Sequence, residues 1–215
     1  MNLGIVMDPI QKIIPGHDSS LALLWEAADR GWSIFYFEFA DLFLREGKAY
    51  AEARPLRVFR DSENWFAFEE RQSLALRDLD LLLIRKDPPF DQNYLYLTLI
   101  LDMAEQEGVF VVNKPQALRD INEKLAILNF PDCCVPTIVT TAIAQLKAFW
   151  KEEKDIVCKP LDVMGGQAVF RVKPEEINAV VIFETLTQGG SRPIMAQRYI
   201  PEIKAGDKRL MLIHG

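Results

Sequence analysis

Four short apolar runs dominate the first half of the chain and constrain its fold. They span residues 3–7, 34–39, 79–85 and 109–112. Runs of this length that are almost continuously apolar are typical of strands in a parallel sheet covered on both faces. Helix-like segments separate the first run from the second and the third from the fourth. This order favours β-α-β units with right-handed crossovers and predicts an α/β fold.

The connecting segments carry recognisable boundary signals. Asp18, Ser19 and Ser20 precede an apolar stretch with good N-cap chemistry, and Gly31 ends that stretch. Helices are also expected over residues 94–107 and 118–128. Between the second and third runs, residues 42–53 predict a hairpin that turns at Gly47, residues 56–59 another extended piece, and residues 60–64 a loop.

A second pattern begins near residue 122. Strands are expected over 137–140, 156–159, 168–172, 194–200 and 208–213, and helices over 142–151 and 175–187. We therefore expect two domains, 1–121 with a mostly parallel sheet and 122–215 with part of a second sheet. The strand at 208–213 has no strand after it, so we expect the second domain to be truncated.

Composition excludes several functional classes. No apolar run approaches the ~20 residues that a membrane-spanning helix needs, and the amino terminus has no basic region or cleavage site of a signal peptide. The chain carries 25 Lys and Arg against 31 Asp and Glu, for a net charge of −6, which argues against a nucleic-acid-binding protein. The three cysteines form no even-numbered disulfide framework, which fits a reduced cytoplasmic setting best.

The three cysteines and two histidines suggest little chemistry by their spacing. Cys133 and Cys134 are adjacent and Cys158 is isolated, so an even-numbered disulfide framework is excluded. His17 and His214 lie at opposite ends, and neither CxxC nor HExxH is present, which argues against zinc. A Cys–His nucleophile pair remains an alternative to small buried thiols.

One segment has the features of a phosphate site although the P-loop and GxGxxG patterns are missing. Lys159-Pro160 ends a predicted strand, and Gly165-Gly166 lies in the loop before the returning strand. Such a hairpin can place backbone N–H groups over phosphates while the lysine supplies charge. The alternative is an ordinary hairpin with glycines in its turn.

Other residues add to the phosphate interpretation. Lys124 lies at the junction of the two units, and an extended segment over 195–201 could pair its backbone with an adenine edge. Asp207 suits ribose hydroxyls, and Arg209 suits a phosphate or carboxylate. Solvated surface charge is the alternative for each of these side chains.

An ordered set of motifs extends over the whole chain. It comprises IVMDPI at 5–10, DSS at 18–20, RKDPPFD at 85–91, VNKPQ at 112–116, LRDINEK at 118–124, AQLKAFW at 144–150, KPLDVMGG at 159–166 and GDKR at 206–209. Together these motifs resemble bacterial glutathione synthetases, which are ATP-grasp ligases. The resemblance implies a pre-ATP-grasp domain over 1–121 and the first lobe of an incomplete ATP-grasp domain over 122–215. In that family the loop typically reads KPLDGMGG, so Val163 replaces a glycine. Valine does not readily adopt positive φ, which puts loop closure in question.

The resemblance implies roles for individual residues. The ATP-binding residues would be Lys124, Lys159, Asp162, Gly165, Gly166, Gln197, Arg198, Tyr199, Ile200 and Asp207. Arg209 would be catalytic. Asp18, Ser19 and Arg85 would bind the dipeptide substrate, although simple helix capping also explains Asp18.

The resemblance also implies a reaction. ATP would drive ligation of γ-glutamylcysteine to glycine through an acyl phosphate, with Mg²⁺ or alternatively Mn²⁺ as cofactor, in a homo-oligomer that is commonly a tetramer. No residue up to Gly215 matches the family's metal ligands, so we expect those ligands beyond it and an inactive or impaired chain. Another ATP-grasp carboxylate–amine ligase and a non-catalytic α/β binding module are the alternatives.

Overall fold

The computed structural model describes residues 1–208 and 210. The chain divides into two compact units, Met1–Asn122 and Glu123–Gly215. No helix in the described residues combines the length and the apolar character needed to span a membrane.

The first unit is built on an eight-stranded sheet. Its strands are β1 (Asn2–Met7), β2 (Ser33–Phe37), β3 (Leu42–Arg45), β4 (Lys48–Val58), β5 (Phe66–Phe68), β6 (Gln72–Ala75), β7 (Leu81–Arg85) and β8 (Phe110–Val112). Its helices are α1 (Ser19–Asp29), α2 (Gln92–Gln106) and α3 (Pro115–Asp120). The strand order is β3-β4-β2-β1-β7-β8, and β5 and β6 pair with β4.

The centre of this sheet confirms the expected parallel arrangement. Strands β2, β1, β7 and β8 are mutually parallel. Strand β4 pairs antiparallel with β2, β3, β5 and β6, so half of the strands form an antiparallel extension that the sequence indicated only in part. The predicted hairpin is confirmed at its turn, where Glu46 and Gly47 both have positive φ.

Strand β1 lies at the centre of the sheet and contributes to both cores. Val6 belongs to one buried cluster, whereas Leu3 and Ile5 belong to the other. Because side chains alternate across a strand, a nearly continuous apolar run can fill both faces. At Gly4 a Cβ atom would approach Leu79 Cδ1 to 2.5 Å, so a side chain at this position would require the Leu79 side chain to move.

The second unit contains a four-stranded antiparallel sheet in the order β11-β10-β12-β9. Its strands are β9 (Thr137–Thr140), β10 (Ile156–Pro160), β11 (Phe170–Val172) and β12 (Ile194–Arg198). Its helices are α4 (Ile143–Glu153) and α5 (Ala179–Leu186). Short 3-10 turns occupy 126–129, 131–133 and 201–205. Leu146, Cys158 and Phe183 are fully buried in the core of this unit.

Several predicted boundaries were wrong. The helix expected over 118–128 stops at Asp120, because Ile121 adopts extended dihedral angles. The returning strand begins at Phe170 instead of residue 168. The helix expected over 175–187 starts at Ala179, because the Glu176 carboxylate accepts a hydrogen bond from the Asn178 backbone N–H (3.2 Å) in a preceding turn. The strand expected over 208–213 falls largely outside the described residues.

Candidate functional site

Strands β10 and β11 form a hairpin whose loop, residues 161–169, carries the predicted glycines. Lys159 lies in β10 next to the loop, opposite Met195 of β12. Gly165 and Gly166 have φ of +66° and +74°, and no atom lies within 4 Å of a Cβ built at either position. The glycines are therefore required for their backbone conformation and not to relieve crowding.

Two lysines that are 35 positions apart in sequence come together in this unit. Burial lowers the pKa of Lys159, and the positive charge of Lys124 lowers that pKa further, while the negative charge of Glu123 opposes the shift. Two neighbouring ammonium groups are costly to bring together unless an anion joins them. The sequence suggested both lysines as phosphate ligands, and the fold places them close enough for the charge of Lys124 to affect the pKa of Lys159.

The Lys124 side chain also contacts the loop. Its Nζ donates hydrogen bonds to the Val163 carbonyl oxygen (2.7 Å) and to Glu123 Oε1 (2.9 Å). Positive φ occurs at Glu46, Lys154, Ala168 and Gln188 among the described non-glycine residues, and Val163 is not one of them. The valine at position 163 therefore causes no left-handed strain in this conformation.

Asp162, which the sequence predicts as an ATP-binding residue, has a partner within the protein. Its carboxylate forms an ion pair with the Arg192 guanidinium, which joins the start of the loop to the segment before β12. Arg192 was missed because nothing in its sequence neighbourhood distinguishes it from a surface arginine.

A cavity of about 670 Å³ lies against this hairpin. Its walls are formed by Ile127, Cys133, Cys134, Val135, Val157, Lys159, Val169, Arg171, Gln197, Arg198, Tyr199, Ile200, Glu202, Ile203 and Gly206. The predicted segment 197–200 lines it throughout, together with Lys159. Lys124, Asp162, Gly165, Gly166 and Asp207 are not among the wall residues, and Arg209 lies outside the described residues.

One wall of the cavity is fixed by a contact that sequence analysis missed. The Arg171 guanidinium makes two hydrogen bonds to the Asp155 carboxylate (2.9 and 2.6 Å) and lies 3.6 Å from the centre of the Tyr199 ring. The Tyr199 backbone N–H donates to the Asp155 carbonyl (2.9 Å). These contacts hold the aromatic ring in place beside the cavity.

The first unit has a second cluster, at the carboxyl ends of β1 and β7. Arg85, the last residue of β7, donates from Nε to Ser20 Oγ and from Nη2 to Ser19 Oγ, both at 2.8 Å. Asp18 Oδ1 accepts from the backbone N–H groups of Ser20 (2.7 Å) and Leu21 (3.1 Å), so this oxygen caps α1. The predicted residues Asp18, Ser19 and Arg85 are thus brought together, with capping as the observed role of Asp18.

The position of this cluster follows from sheet topology. After β1 the chain crosses to β2 on one side, and after β7 it crosses to β8 on the other side. The neighbouring strands β1 and β7 therefore flank a topological switch point, where ligands of open α/β sheets commonly bind beyond the carboxyl ends of the strands.

Acidic residues organise the turn that follows Arg85. Asp8 forms an ion pair with Lys86 Nζ (2.7 Å) and accepts the backbone N–H of Asp87 (2.9 Å). Burial raises the pKa of Asp87, and the negative charges of Asp8 and Asp18 raise it further, while Arg85 and Lys86 lower it. A cavity of about 290 Å³ adjoins this turn and is lined by Asp8, Pro9, Lys12, Ile13, Ile14, His17, Asp18 and Asp87.

Comparison with known families assigns both units. Residues 1–119 match the prokaryotic glutathione synthetase N-terminal domain, and residues 123–215 match the prokaryotic glutathione synthetase ATP-grasp domain. The chain belongs to the prokaryotic glutathione synthetase family. The resemblance drawn from the ordered motifs is thereby confirmed, as is the α/β fold with an ATP-grasp portion.

Curated relatives in the family match along the whole chain. The chain is 52% identical to glutathione synthetase of Escherichia coli K12 and 50% identical to that of Pseudomonas syringae pv. tomato, over 215 residues in each case. These matches cover 100% of this chain and 68% and 67% of the two relatives. The chain therefore spans about two-thirds of the length of these glutathione synthetases.

Solved structures share the fold at low sequence identity. D-cycloserine synthetase DcsG superposes with a TM-score of 0.60 and 15% identity, over 94% of this chain and 61% of that one. D-alanyl-alanine synthetase A from Vibrio cholerae gives a TM-score of 0.54 and 12% identity, over 93% and 60%. These likenesses show the ATP-grasp ligase fold alone.

The residues around the cavity fit a nucleotide, but the described residues offer no group of side chains for a metal ion. A large, mostly apolar cavity with an aromatic wall beside two lysines fits a purine nucleotide with its phosphates. No group of three or more His, Cys, Asp or Glu side chains within residues 1–208 is arranged to hold a metal ion. These residues are therefore not proposed as metal ligands.

Proposed function

We propose that this chain carries the ATP-binding and dipeptide-binding parts of a glutathione synthetase. The observation that carries the proposal is the approach of Lys124 to Lys159 beside the 670 Å³ cavity, within a chain of the glutathione synthetase family. We take residues 122–215 as the nucleotide-binding domain and residues 1–121 as the dipeptide-side domain. The contact units of the chain support this division.

In this proposal adenine occupies the cavity beside Tyr199 and Ile200. Backbone groups of segment 197–200, where β12 ends, form hydrogen bonds with the adenine edge. The Asp207 carboxylate binds the ribose hydroxyls. Lys124 and Lys159 bind the phosphates, because a bound polyanion relieves the repulsion between their ammonium groups. The loop with Gly165 and Gly166 covers the phosphates and excludes water from the reacting centre.

The first unit is proposed to hold γ-glutamylcysteine at the switch point. A guanidinium that is already oriented by Ser19 and Ser20 can bind a carboxylate with little loss of side-chain entropy. The adjacent amino-terminal end of α1 adds favourable electrostatics for an anion. Arg85 is accordingly the principal dipeptide ligand in this proposal, and Ser19 and Asp18 support its position.

The proposed reaction has two steps. The dipeptide carboxylate attacks the γ-phosphorus of ATP, which gives an acyl phosphate and ADP, and the amine of glycine then displaces phosphate to form the amide bond. The two lysines neutralise the negative charge on the transferred phosphoryl group. Arg209 is proposed to contact that group or the substrate carboxylate. Mg²⁺, when bound with ATP, supplies further charge neutralisation.

Two broader properties complete the proposal. Cys133, Cys134 and Cys158 are all free thiols, which supports a reducing compartment such as the cytoplasm. A homo-oligomeric state is predicted from the family resemblance, and light scattering on the purified protein measures it directly.

The experiment measures binding and turnover separately. ATP titrated into the 215-residue chain should bind with 1:1 stoichiometry, and the product of the complete reading frame should release ADP only when both γ-glutamylcysteine and glycine are present. D-Alanine offered in place of glycine tests the alternative ligase class. Turnover that is independent of glycine, or that prefers D-alanine, would contradict the glutathione synthetase assignment.

A further inference from the structure

Two adjacent cysteines lie in the wall of the proposed nucleotide cavity without a role in the proposed reaction. Cys133 ends a 3-10 turn and is exposed, and Cys134 is half-buried. Both residues line the 670 Å³ cavity together with Lys159 and Tyr199. Any group added to a thiol at this position would occupy the space proposed for the nucleotide.

The three thiols of the chain differ sharply in their surroundings. Cys158 is fully buried in the core of the second unit, and burial raises its pKa to about 12, so it is unreactive. Cys134 is half-buried and donates from Sγ to the Ile127 carbonyl oxygen at 3.1 Å. Cys133 is the exposed thiol of the three and is the one available to a soluble reagent.

The charge beside the cavity selects the class of reagent. Lys159, Arg171 and Arg198 lie in the wall of the cavity, whose described wall residues include one carboxylate, that of Glu202. The excess of positive charge attracts anions to the cavity, and salt would screen that attraction. An anionic disulfide is therefore favoured over a cationic one of similar size.

We propose that Cys133 is a thiol-modification site in the wall of the nucleotide cavity, where a mixed disulfide with a small anionic disulfide blocks nucleotide binding. In the reaction the Cys133 thiolate attacks one sulfur of the disulfide. The Cys133–S bond forms, the original S–S bond breaks, and the second half leaves as a thiolate that takes up a proton. The reagent is the only oxidant required.

The neighbouring thiol does not remove the adduct easily. Adjacent Cα atoms lie ~3.8 Å apart across a trans peptide, which is below the usual ~4.4–6.8 Å of a disulfide. Attack by Cys134 on the mixed disulfide would produce a strained ring, so the adduct persists until an external thiol reduces it. The inference rests on the proposed ATP-binding function of this cavity and adds regulation by disulfide to it.

The test uses glutathione disulfide as the anionic probe and cystamine as the cationic control. Peptide mass mapping of the treated chain should locate one adduct, on Cys133, with Cys158 unmodified. ATP at saturating concentration should slow adduct formation at least tenfold, and at low salt glutathione disulfide should react faster than cystamine. Adduct formation on Cys134 or Cys158 instead, or faster reaction with cystamine, would overturn the proposal.

Calorimetry then compares ATP affinity before and after modification. The modified chain should bind ATP at least tenfold more weakly, and added dithiothreitol should restore the starting affinity. In the C133S variant, whose folding is checked by circular dichroism, ATP affinity should not respond to glutathione disulfide. Unchanged ATP affinity in the modified wild-type chain would overturn this inference alone, whereas an untreated chain that fails to bind ATP would overturn the proposed function as well.

Discussion

Lys124 Nζ donates a hydrogen bond of 2.7 Å to the carbonyl oxygen of Val163, in the middle of the glycine-containing loop. This contact links a phosphate-binding candidate to the loop proposed to cover the phosphates. Because the same ammonium group is proposed to bind ATP, we expect the position of the loop and nucleotide binding to be coupled through this one side chain. The coupling can be measured either as a change in ATP affinity or as a change in hydrogen exchange of the loop.

The first prediction removes that ammonium group. The substitution Lys124→Met should weaken ATP binding about tenfold or more, since a hydrogen bond to a charged group contributes ~1.5–3 kcal/mol and 1.4 kcal/mol corresponds to a factor of ten. It should also increase hydrogen exchange within residues 161–169, because the loop loses a tether. Lys147→Met, at an exposed position of α4, is the matched control. A loop with unchanged exchange would contradict the tether.

The second prediction concerns the pH dependence of Lys159. Its pKa is lowered by burial and by Lys124, so its ammonium loses its proton at a lower pH than an ordinary lysine does. ATP affinity should therefore fall as pH rises through that lowered pKa, and Lys159→Met should remove this fall and weaken binding at neutral pH. Calorimetric titrations from pH 7 to pH 10 measure both effects, with exposed Lys48→Met as the control.

The same shift has an opposite consequence for stability. Between the lowered folded pKa and the usual value of 10.5, the unfolded chain binds more protons at Lys159 than the folded chain does. Stability of the ligand-free chain attributable to this residue therefore rises with pH across that window. The free energy of unfolding of the wild type minus that of Lys159→Met, each from urea unfolding, should therefore rise with pH across that window.

The third prediction separates Val163 from the glycines that follow it. Val163 does not adopt positive φ, so Val163→Gly should leave ATP affinity within about threefold, because it relieves no strain and only adds loop entropy. Gly165→Ala should weaken ATP binding by threefold to tenfold, since its φ of +66° costs an L-residue ~1 kcal/mol or more. Equal effects of the two substitutions would contradict this assignment of backbone roles.

The parts of the fold that sequence predicted are those governed by local patterns. Strands β1 and β7 follow from nearly continuous apolar runs, and the turn at Gly47 follows from local backbone preference. Strands β5 and β6 were not predicted, and in the structure each of them is held by its pairing with β4. Short edge segments of this kind are specified by their partners more than by their own periodicity.

In the candidate site, too, residues in local motifs could be predicted from the sequence, whereas contacts between distant residues could not. Lys159 and the loop glycines could be selected from a strand-loop-strand pattern, and Arg85 from a motif. The contacts of Arg171 with Tyr199 and of Asp162 with Arg192 join residues that are about 30 positions apart. Such pairs depend on how the strands are brought together, and a single sequence carries no signal for them.

The fourth prediction addresses Asp8 as a positioning residue for the turn after Arg85. Asp8→Asn removes the ion pair with Lys86 and one of the negative charges that raise the pKa of Asp87. The pKa of Asp87 should therefore fall, as followed by carboxyl NMR, and affinity for γ-glutamylcysteine should fall about tenfold while ATP affinity is unchanged. Exposed Asp120→Asn is the control, and an unshifted Asp87 would contradict the proposed coupling.

The fifth prediction tests whether Arg85 acts by geometry or by charge alone. Its Nε and Nη2 each donate at 2.8 Å to a serine of the α1 start, an arrangement that a lysine ammonium cannot reproduce. Arg85→Lys keeps the charge, so a purely electrostatic role predicts nearly normal binding of γ-glutamylcysteine. The observed geometry instead predicts a loss of about tenfold or more in dipeptide affinity for both Arg85→Lys and Arg85→Ala. Steady-state kinetics on the product of the complete reading frame should place that loss in the KM for the dipeptide, with the KM for ATP unchanged, and wild-type dipeptide KM in Arg85→Lys would show that charge is sufficient.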